Sequence, residues 1–261
     1  MKIALCIEYN GSNYFGWQAQ TKKSKKTIQY YVDLAISKIS NEKISTVCAG
    51  RTDTGVHAIN QIIHFNTLSK RKDESWINGI NSLLPNDIRV KKIFHVDESF
   101  HARYSATSRK YRYVIYNDFL LPPFINDLVL HYKKKLDIVN IKRSIKFLLG
   151  KQDFSSFRSS RCQSSSPIKT IKEVKIEVIK KFIIIDIMAD SFLYHMVRNI
   201  VGTLLDIGIH KFKPIHIKHL ISIKDRSKAS KMISSSGLYL FNVNYSKKYK
   251  INTNNKDFYL C

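Results

Sequence analysis

Cysteine and acidic side chains are scarce in this chain of 261 residues. The four cysteines stand apart at Cys6, Cys48, Cys162 and Cys261 and form no CxxC pair. That excludes a zinc ribbon and a disulfide scaffold, and it suits a reducing cytoplasm, which is the expected location. Asp and Glu total only 20 and do not cluster, which disfavours a two-metal nuclease. An H-x-E with a downstream CxxC is missing, so zinc deamination is not expected. A Walker loop and a G-x-G-x-x-G turn are also missing, so nothing is placed to cradle a nucleotide cofactor. No run approaches the length that spans a membrane. The stretch from Met1 to Glu8 meets a charge too early for a signal-peptide core. No cofactor and no metal are expected.

What the chain does carry is positive charge. Lys and Arg total 44, giving a formal charge of +24 and a pI near 9.8. Such a surplus implies a polyanionic partner, with nucleic acid ahead of an anionic membrane surface. Only eleven of the 44 are arginine, and the chain is rich in Ile and Asn, so AT-rich codons account for part of the lysine. Arginines inside motifs therefore weigh more than lysine runs such as Lys22, Lys23, Lys25 and Lys26. An apolar content of 44% with 11% aromatics marks a folded chain. Its length allows one large domain or two of roughly 100–150 residues.

Periodicity supplies an element order. Lys2 to Tyr9 alternates as a strand, and Thr27 is placed to cap a helix carrying Ile28, Tyr31, Val32, Ala35 and Ile39 at helical spacing. Short apolar runs at residues 44–48 and 62–65 read as strands, residues 75–84 as a helix ending before Pro85, and residues 88–96 as a strand. Strand–helix–strand–strand–helix–strand is the ferredoxin-like pattern. The second half repeats it without detectable sequence repetition. A strand covers 110–116 and a helix 138–149, and a strand pair covers 171–179 and 182–188. A long helix from Ser191 to about Ile207 follows, then a final strand over 238–243. The expected fold class is α+β, as two ferredoxin-like α/β halves, 1–103 and 104–261, split near residues 100–105.

Three places could carry chemistry. Ala49-Gly50-Arg51-Thr52-Asp53-Thr54-Gly55-Val56-His57 puts a guanidinium, a carboxylate and two glycines into nine residues. It reads either as a surface turn or as a loop presenting an ionised carboxylate to a substrate. On the Ser191 helix, Arg198 lies off a wide apolar stripe beside Gly202. It is either solvated or paired with a carboxylate or phosphate, and His195 reads as structural. Ser108-Arg109-Lys110-Tyr111-Arg112-Tyr113 interleaves base and ring, with Arg109, Tyr111 and Tyr113 on one face. That strand is either half-exposed β-structure or a platform for stacking a nucleobase. A weaker enzyme reading pairs Asp53 with His57 as general base for metal-free RNA cleavage.

With these residues in view, the chain resembles the TruA family of tRNA pseudouridine synthases. Matching stretches include Gly16-Trp17-Gln18, Ala49 to Ala58, Ser99-Phe100-His101-Ala102-Arg103, Tyr111-Arg112-Tyr113, Asp153 to Arg158, His195 to Gly202 and Gly237-Leu238-Tyr239. The resemblance implies that Asp53 is the catalytic aspartate and Arg198 the arginine that pairs with it. It implies that Tyr111 contacts the target base and Arg51 holds the flipped-out nucleotide. It further implies isomerisation of uridine at positions 38, 39 and 40 of the tRNA anticodon stem-loop, by a cytoplasmic homodimer without cofactor or metal. It implies as well that the two halves join through a central mixed or antiparallel sheet with a basic RNA-binding cleft, the first half carrying the aspartate loop and the second completing the cleft. Thr54, Asn10 and Lys110 stand where the family has mostly alanine, aspartate and arginine, and none removes a group the chemistry needs. A rival from another class is a non-catalytic RNA-binding or RNA-chaperone protein, for which the charge and the aromatic–basic strand suffice.

Overall fold

The computed structural model describes residues 1–19, 26–253, 258 and 260. Lys22, Lys23 and Lys25 of the basic loop lie outside the described residues. The chain divides into two compact units, one of Met1–Arg109 with Tyr239–Asp257 and the other of Lys110–Leu238 with Phe258–Cys261.

In the first unit the order is β1 (Lys2–Tyr9), α1 (Ile28–Ser40), β2 (Val47–Cys48), β3 (His57–Asn66), α2 (Asp73–Leu83) and β4 (Ile88–Val96). β1 pairs antiparallel with both β3 and β4, and β2 pairs antiparallel with β3. This is the strand arrangement of a ferredoxin-like sheet. β1 is central and buried on both faces, so it reads as a nearly continuous apolar run, with Ile3, Leu5 and Ile7 fully buried. Beneath the sheet, α1 contributes Ile28, Val32 and Ile36 while α2 contributes Trp76 and Ile80. Gly79 lets α2 approach α1, because a Cβ there would sit 2.9 Å from Cδ1 of Ile39. Thr27 occupies the N-cap position of α1, but its side chain makes no capping bond.

The second unit takes up the chain within β5 (Ala106–Tyr116), which lies in the first unit as far as Arg109. It continues through β6 (Leu130–His131), α3 (Ile138–Ile145), β7 (Gly150–Asp153), β8 (Ile168–Ile179), β9 (Phe182–Ala189), α4 (Met196–Gly208) and α5 (His216–Ile223). Its strands run in the order β5-β9-β8-β7, with β6 parallel to β5. The chain then returns to the first unit as β10 (Leu238–Tyr245), which pairs parallel with β3 through Tyr239–His57 and Leu240–Ala58. Helix α4 packs Ile200, Val201 and Leu204 into the core of the second unit beside Ile141, Phe154 and Phe157, all fully buried.

The α+β class expected from the sequence is the class observed, with mixed parallel and antiparallel pairing. Two helices are shorter than their apolar periodicity predicts. α4 begins at Met196 rather than Ser191, because Asp190 Oδ1 accepts the Ser191 N–H and His195 enters the helix at φ 62°. α3 ends at Ile145 and closes as a 3-10 turn over Lys146–Leu148 before Gly150, whose φ is 92°.

Candidate active site

The loop between β2 and β3 is held from several sides. Asp53 and Val56 form a turn, with the Val56 N–H donating to the Asp53 carbonyl at 3.1 Å. Gly55 has φ 75° at its third position, the conformation a type II turn reserves for glycine. The Thr52 side chain is buried and hydrogen bonds the Tyr9 hydroxyl at 2.8 Å. The Thr52 carbonyl accepts the Trp17 N–H at 3.0 Å, and Gly55 N–H donates to the Tyr14 carbonyl. Gly16 runs so close beneath (φ 84°) that a Cβ there would stand 2.5 Å from the Thr52 carbonyl oxygen. At the start of the loop, the buried Gln61 side chain brackets Gly50, accepting its N–H at 3.3 Å and donating to its carbonyl at 2.6 Å. Between these anchors Arg51 is exposed and Asp53 half-buried.

Arg109 supplies a further anchor. Its guanidinium donates to the carbonyls of Ala49 at 3.1 Å, Ala106 at 3.2 Å and Arg103. The alternation on β5 signals only a basic side chain on one face. Its use as a backbone clamp on the Asp53 loop depends on β5 lying close to a loop far away in sequence.

His57 opens β3 and is 1% exposed. Its Nδ1 accepts the Gly11 N–H at 3.1 Å, and its ring stacks on Tyr239 at 4.6 Å. An imidazole buried this way, with Nδ1 engaged by backbone, is a packing element, which speaks against the Asp53–His57 general-base reading.

Tyr111 and Arg198 belong to the second unit. Tyr111 is half-buried on β5, with the Phe192 ring edge-on at 5.1 Å. Tyr113 is no part of an exposed platform, being fully buried with its hydroxyl donating to the Ser234 carbonyl at 2.7 Å. Burial raises its pKa, opposed by the charge of Arg198. Lys110 and Arg112 turn to Asp186 on β9, an acid only 6% exposed. Arg112 forks onto it at 2.8 and 2.9 Å, and the Lys110 ammonium lies 3.2 Å away. These two cations offset a buried charge.

Arg198 sits in the first turn of α4, and its Nε donates to the Ile233 carbonyl at 2.8 Å. A guanidinium has five donors, so Nη1 and Nη2 are available for a second acceptor such as a carboxylate or phosphate. One turn on, Gly202 lets the same segment pack against the helix, since a Cβ would be 2.5 Å from the Lys231 carbonyl. Asn199 and Arg226 complete the stitching, with Arg226 donating to Asn199 Oδ1 at 2.9 Å and to the carbonyls of Ala229 and Ser230. His195 is stacked on Tyr194 at 3.6 Å, and its pKa falls to about 4 through burial and then through Arg198 and Arg226. It is neutral at physiological pH, and its Nδ1 lies 3.2 Å from Ser159 Oγ.

An α+β chain with a carboxylate on a pinned loop and a large positive charge fits an RNA-modifying enzyme. A family profile described as tRNA pseudouridine synthase matches residues 5–105 and 145–246. The tRNA pseudouridine synthase A of Buchnera aphidicola subsp. Schizaphis graminum is 48% identical over 98% of this chain and 97% of its own. Those of Psychromonas ingrahamii, at 47%, and Pseudoalteromonas translucida, at 44%, each cover 96% of this chain and 95% and 94% of their own. A chain in the crystal structure of a Cbf5-Nop10-Gar1 complex covers 91% of this chain and 57% of its own length at 10% identity and a TM-score of 0.35, too loose a likeness to bear on the fold. The chain belongs to the tRNA pseudouridine synthase family.

Proposed function

We propose that the chain is an isomerase that converts uridine to pseudouridine in tRNA. The observation that carries this reading is near-full-length similarity at 44–48% identity to tRNA pseudouridine synthases A. The reaction breaks the C1′–N1 bond of a uridine, turns the uracil, and joins C1′ to C5, with the C5 proton released and N1 protonated. It oxidises nothing and imports no group, so it asks the protein for a carboxylate, a cation to favour its charged form, and a surface for the flipped base.

Asp53 is the proposed catalytic carboxylate. Arg198 is the cation that keeps it ionised, as a nearby positive charge does for any carboxylate. The half-buried Tyr111 stacks on the target base, and the exposed Arg51 holds the flipped nucleotide and offsets part of the few kcal/mol that flipping costs. The first half, 1–103, supplies the aspartate loop and the second, 104–261, completes the basic RNA-binding cleft. The substrate positions proposed are 38, 39 and 40 of the anticodon arm, and the working form is a cytoplasmic homodimer without metal or cofactor. The experiment is incubation with tRNA transcripts tritiated at uracil C5, followed by tritium release and mapping of the modified positions. Release with pseudouridine at those positions is the expected result. Binding of tRNA without release would favour the RNA-chaperone reading.

A further inference from the structure

A second pairing of arginine with an aromatic ring lies in the turn that precedes β5, and the reaction as proposed does not use it. Tyr104 is 76% exposed and Arg103 is exposed beside it, with the guanidinium 5.6 Å from the ring centre. The turn beneath them is closely hydrogen-bonded. His101 and Ser105 exchange two hydrogen bonds, His101 N–H to Ser105 Oγ at 3.0 Å and Ser105 N–H to the His101 carbonyl at 2.9 Å. Ala102 N–H donates to Nδ1 of the buried His64 at 3.2 Å. The N–H groups of Arg103 and Tyr104 both donate to His101 Nδ1, also at 3.2 Å, which sets the imidazole against the tyrosine ring at 4.3 Å and 31°.

The turn is also tied to the Asp53 loop. The Arg109 guanidinium binds the Arg103 carbonyl and the Ala49 carbonyl together. Burial pushes the Cys48 thiol up to about 12, and Arg51 and Arg103 both lie close enough for their charges to oppose that rise. The two exposed arginines therefore occupy one region of the first unit.

Packing does not account for Tyr104, since most of its ring faces solvent. An exposed aromatic on a hydrogen-bonded turn, backed by one ring and flanked by a guanidinium, has less conformational freedom to lose when a ligand arrives. That is the preorganisation a stacking surface needs. The positive flank selects an anionic ligand, and a nucleotide supplies both a π-face and a phosphate. We propose that Tyr104 is a stacking platform for an unpaired base of the tRNA, with Arg103 on the adjoining phosphate. This rests on the tRNA reading above and adds to it a contact outside Arg51, Asp53, Tyr111 and Arg198.

The test measures equilibrium binding of an unmodified tRNA transcript and tritium release at saturating tRNA, for wild type, Tyr104→Ala and Tyr104→Phe. Tyr104→Ala should weaken binding about tenfold, within the range one stacked base supports. Its turnover at saturation should stay within about twofold, and its thermal midpoint should not move, because the side chain is exposed. Tyr104→Phe keeps the π-face and should bind as wild type. If Tyr104→Ala binds like wild type, or Tyr104→Phe is as weak as Tyr104→Ala, stacking is overturned while the isomerase assignment stands. A wild type that binds tRNA but releases no tritium overturns that assignment, while weaker binding by Tyr104→Ala alone would still support the stacking contact.

Discussion

Trp17 donates its backbone N–H to the carbonyl of Thr52 at 3.0 Å, so the residue before Asp53 is held by the segment that follows β1. The contact exists because Gly16 can take φ 84° and leave no Cβ between the two strands of backbone.

Gly16→Ala places a methyl 2.5 Å from the Thr52 oxygen and 2.9 Å from the Asp53 carbonyl carbon, in a backbone conformation L-residues avoid. The strain alone costs about 1–2 kcal/mol. Relief comes by displacing the Asp53 loop, and a shift of about 1 Å in a reacting group lowers turnover about a hundredfold. We expect kcat to fall by that order while tRNA binding changes little, as read by tritium release and filter binding.

Arg198→Ala removes the proposed counter-charge of Asp53 and the Ile233 contact together. The second loss costs stability by about 1 kcal/mol. The first should lower kcat more than a hundredfold with KM for tRNA within a few-fold. Loss of binding with unchanged kcat would assign Arg198 to phosphate contact instead.

Arg112→Ala separates a structural cation from an RNA contact. Removing one partner of a buried pair costs about 3–5 kcal/mol, with the lower end expected here because Lys110 stays 3.2 Å from Asp186. The urea midpoint should therefore drop. The slope of log affinity for tRNA against log salt should not change, whereas loss of a phosphate contact would reduce it by about one.

Acid should destabilise the protein before its carboxylates titrate normally. His64 and His195 both have pKa values pushed down to about 4, chiefly by burial. Their unfolded forms take up protons near pH 6.5, so the stability they contribute is present above that pH and falls as pH drops toward 4. Asp33 acts in the opposite sense. Burial raises its pKa to about 6, so the folded form takes up a proton first and gains stability relative to the unfolded chain as pH falls. Two histidines against one aspartate leave a net loss of stability between about pH 6 and about pH 4.5, and the lowered pKa values of His101 and His216, also chiefly from burial, add to it. Urea melts across that window should show the decline, and Asp33→Asn should steepen it.

Much of the fold was legible where a strand's own sequence carries its pattern. The central strand β1 and the edge strand Ile88–Val96 carry their pattern within themselves, and both match their expected bounds. The four-residue strand Gly150–Asp153 was not legible, because Gly-Lys-Gln-Asp has no apolar face and exists as a strand only through its register with β8. The start of α4 was hidden for a different reason. Leu193 continues the apolar stripe, while the left-handed backbone of His195 leaves no mark on a non-glycine residue. At the site, the glycine-flanked Arg51 and Asp53 stood out because they share one short segment. The clamp from Arg109 and the pairing of Lys110 and Arg112 with Asp186 join residues far apart in sequence, and Asp186 is a single acid inside the apolar run Phe182–Ala189.

The most direct test of the account replaces one oxygen of Asp53 by nitrogen. Wild type and Asp53→Asn would be given the same tRNA tritiated at uracil C5, with tRNA affinity and thermal midpoint measured in parallel. The account predicts tritium release by wild type and none by Asp53→Asn, at matched affinity and midpoint. Equal release by the two proteins would contradict it.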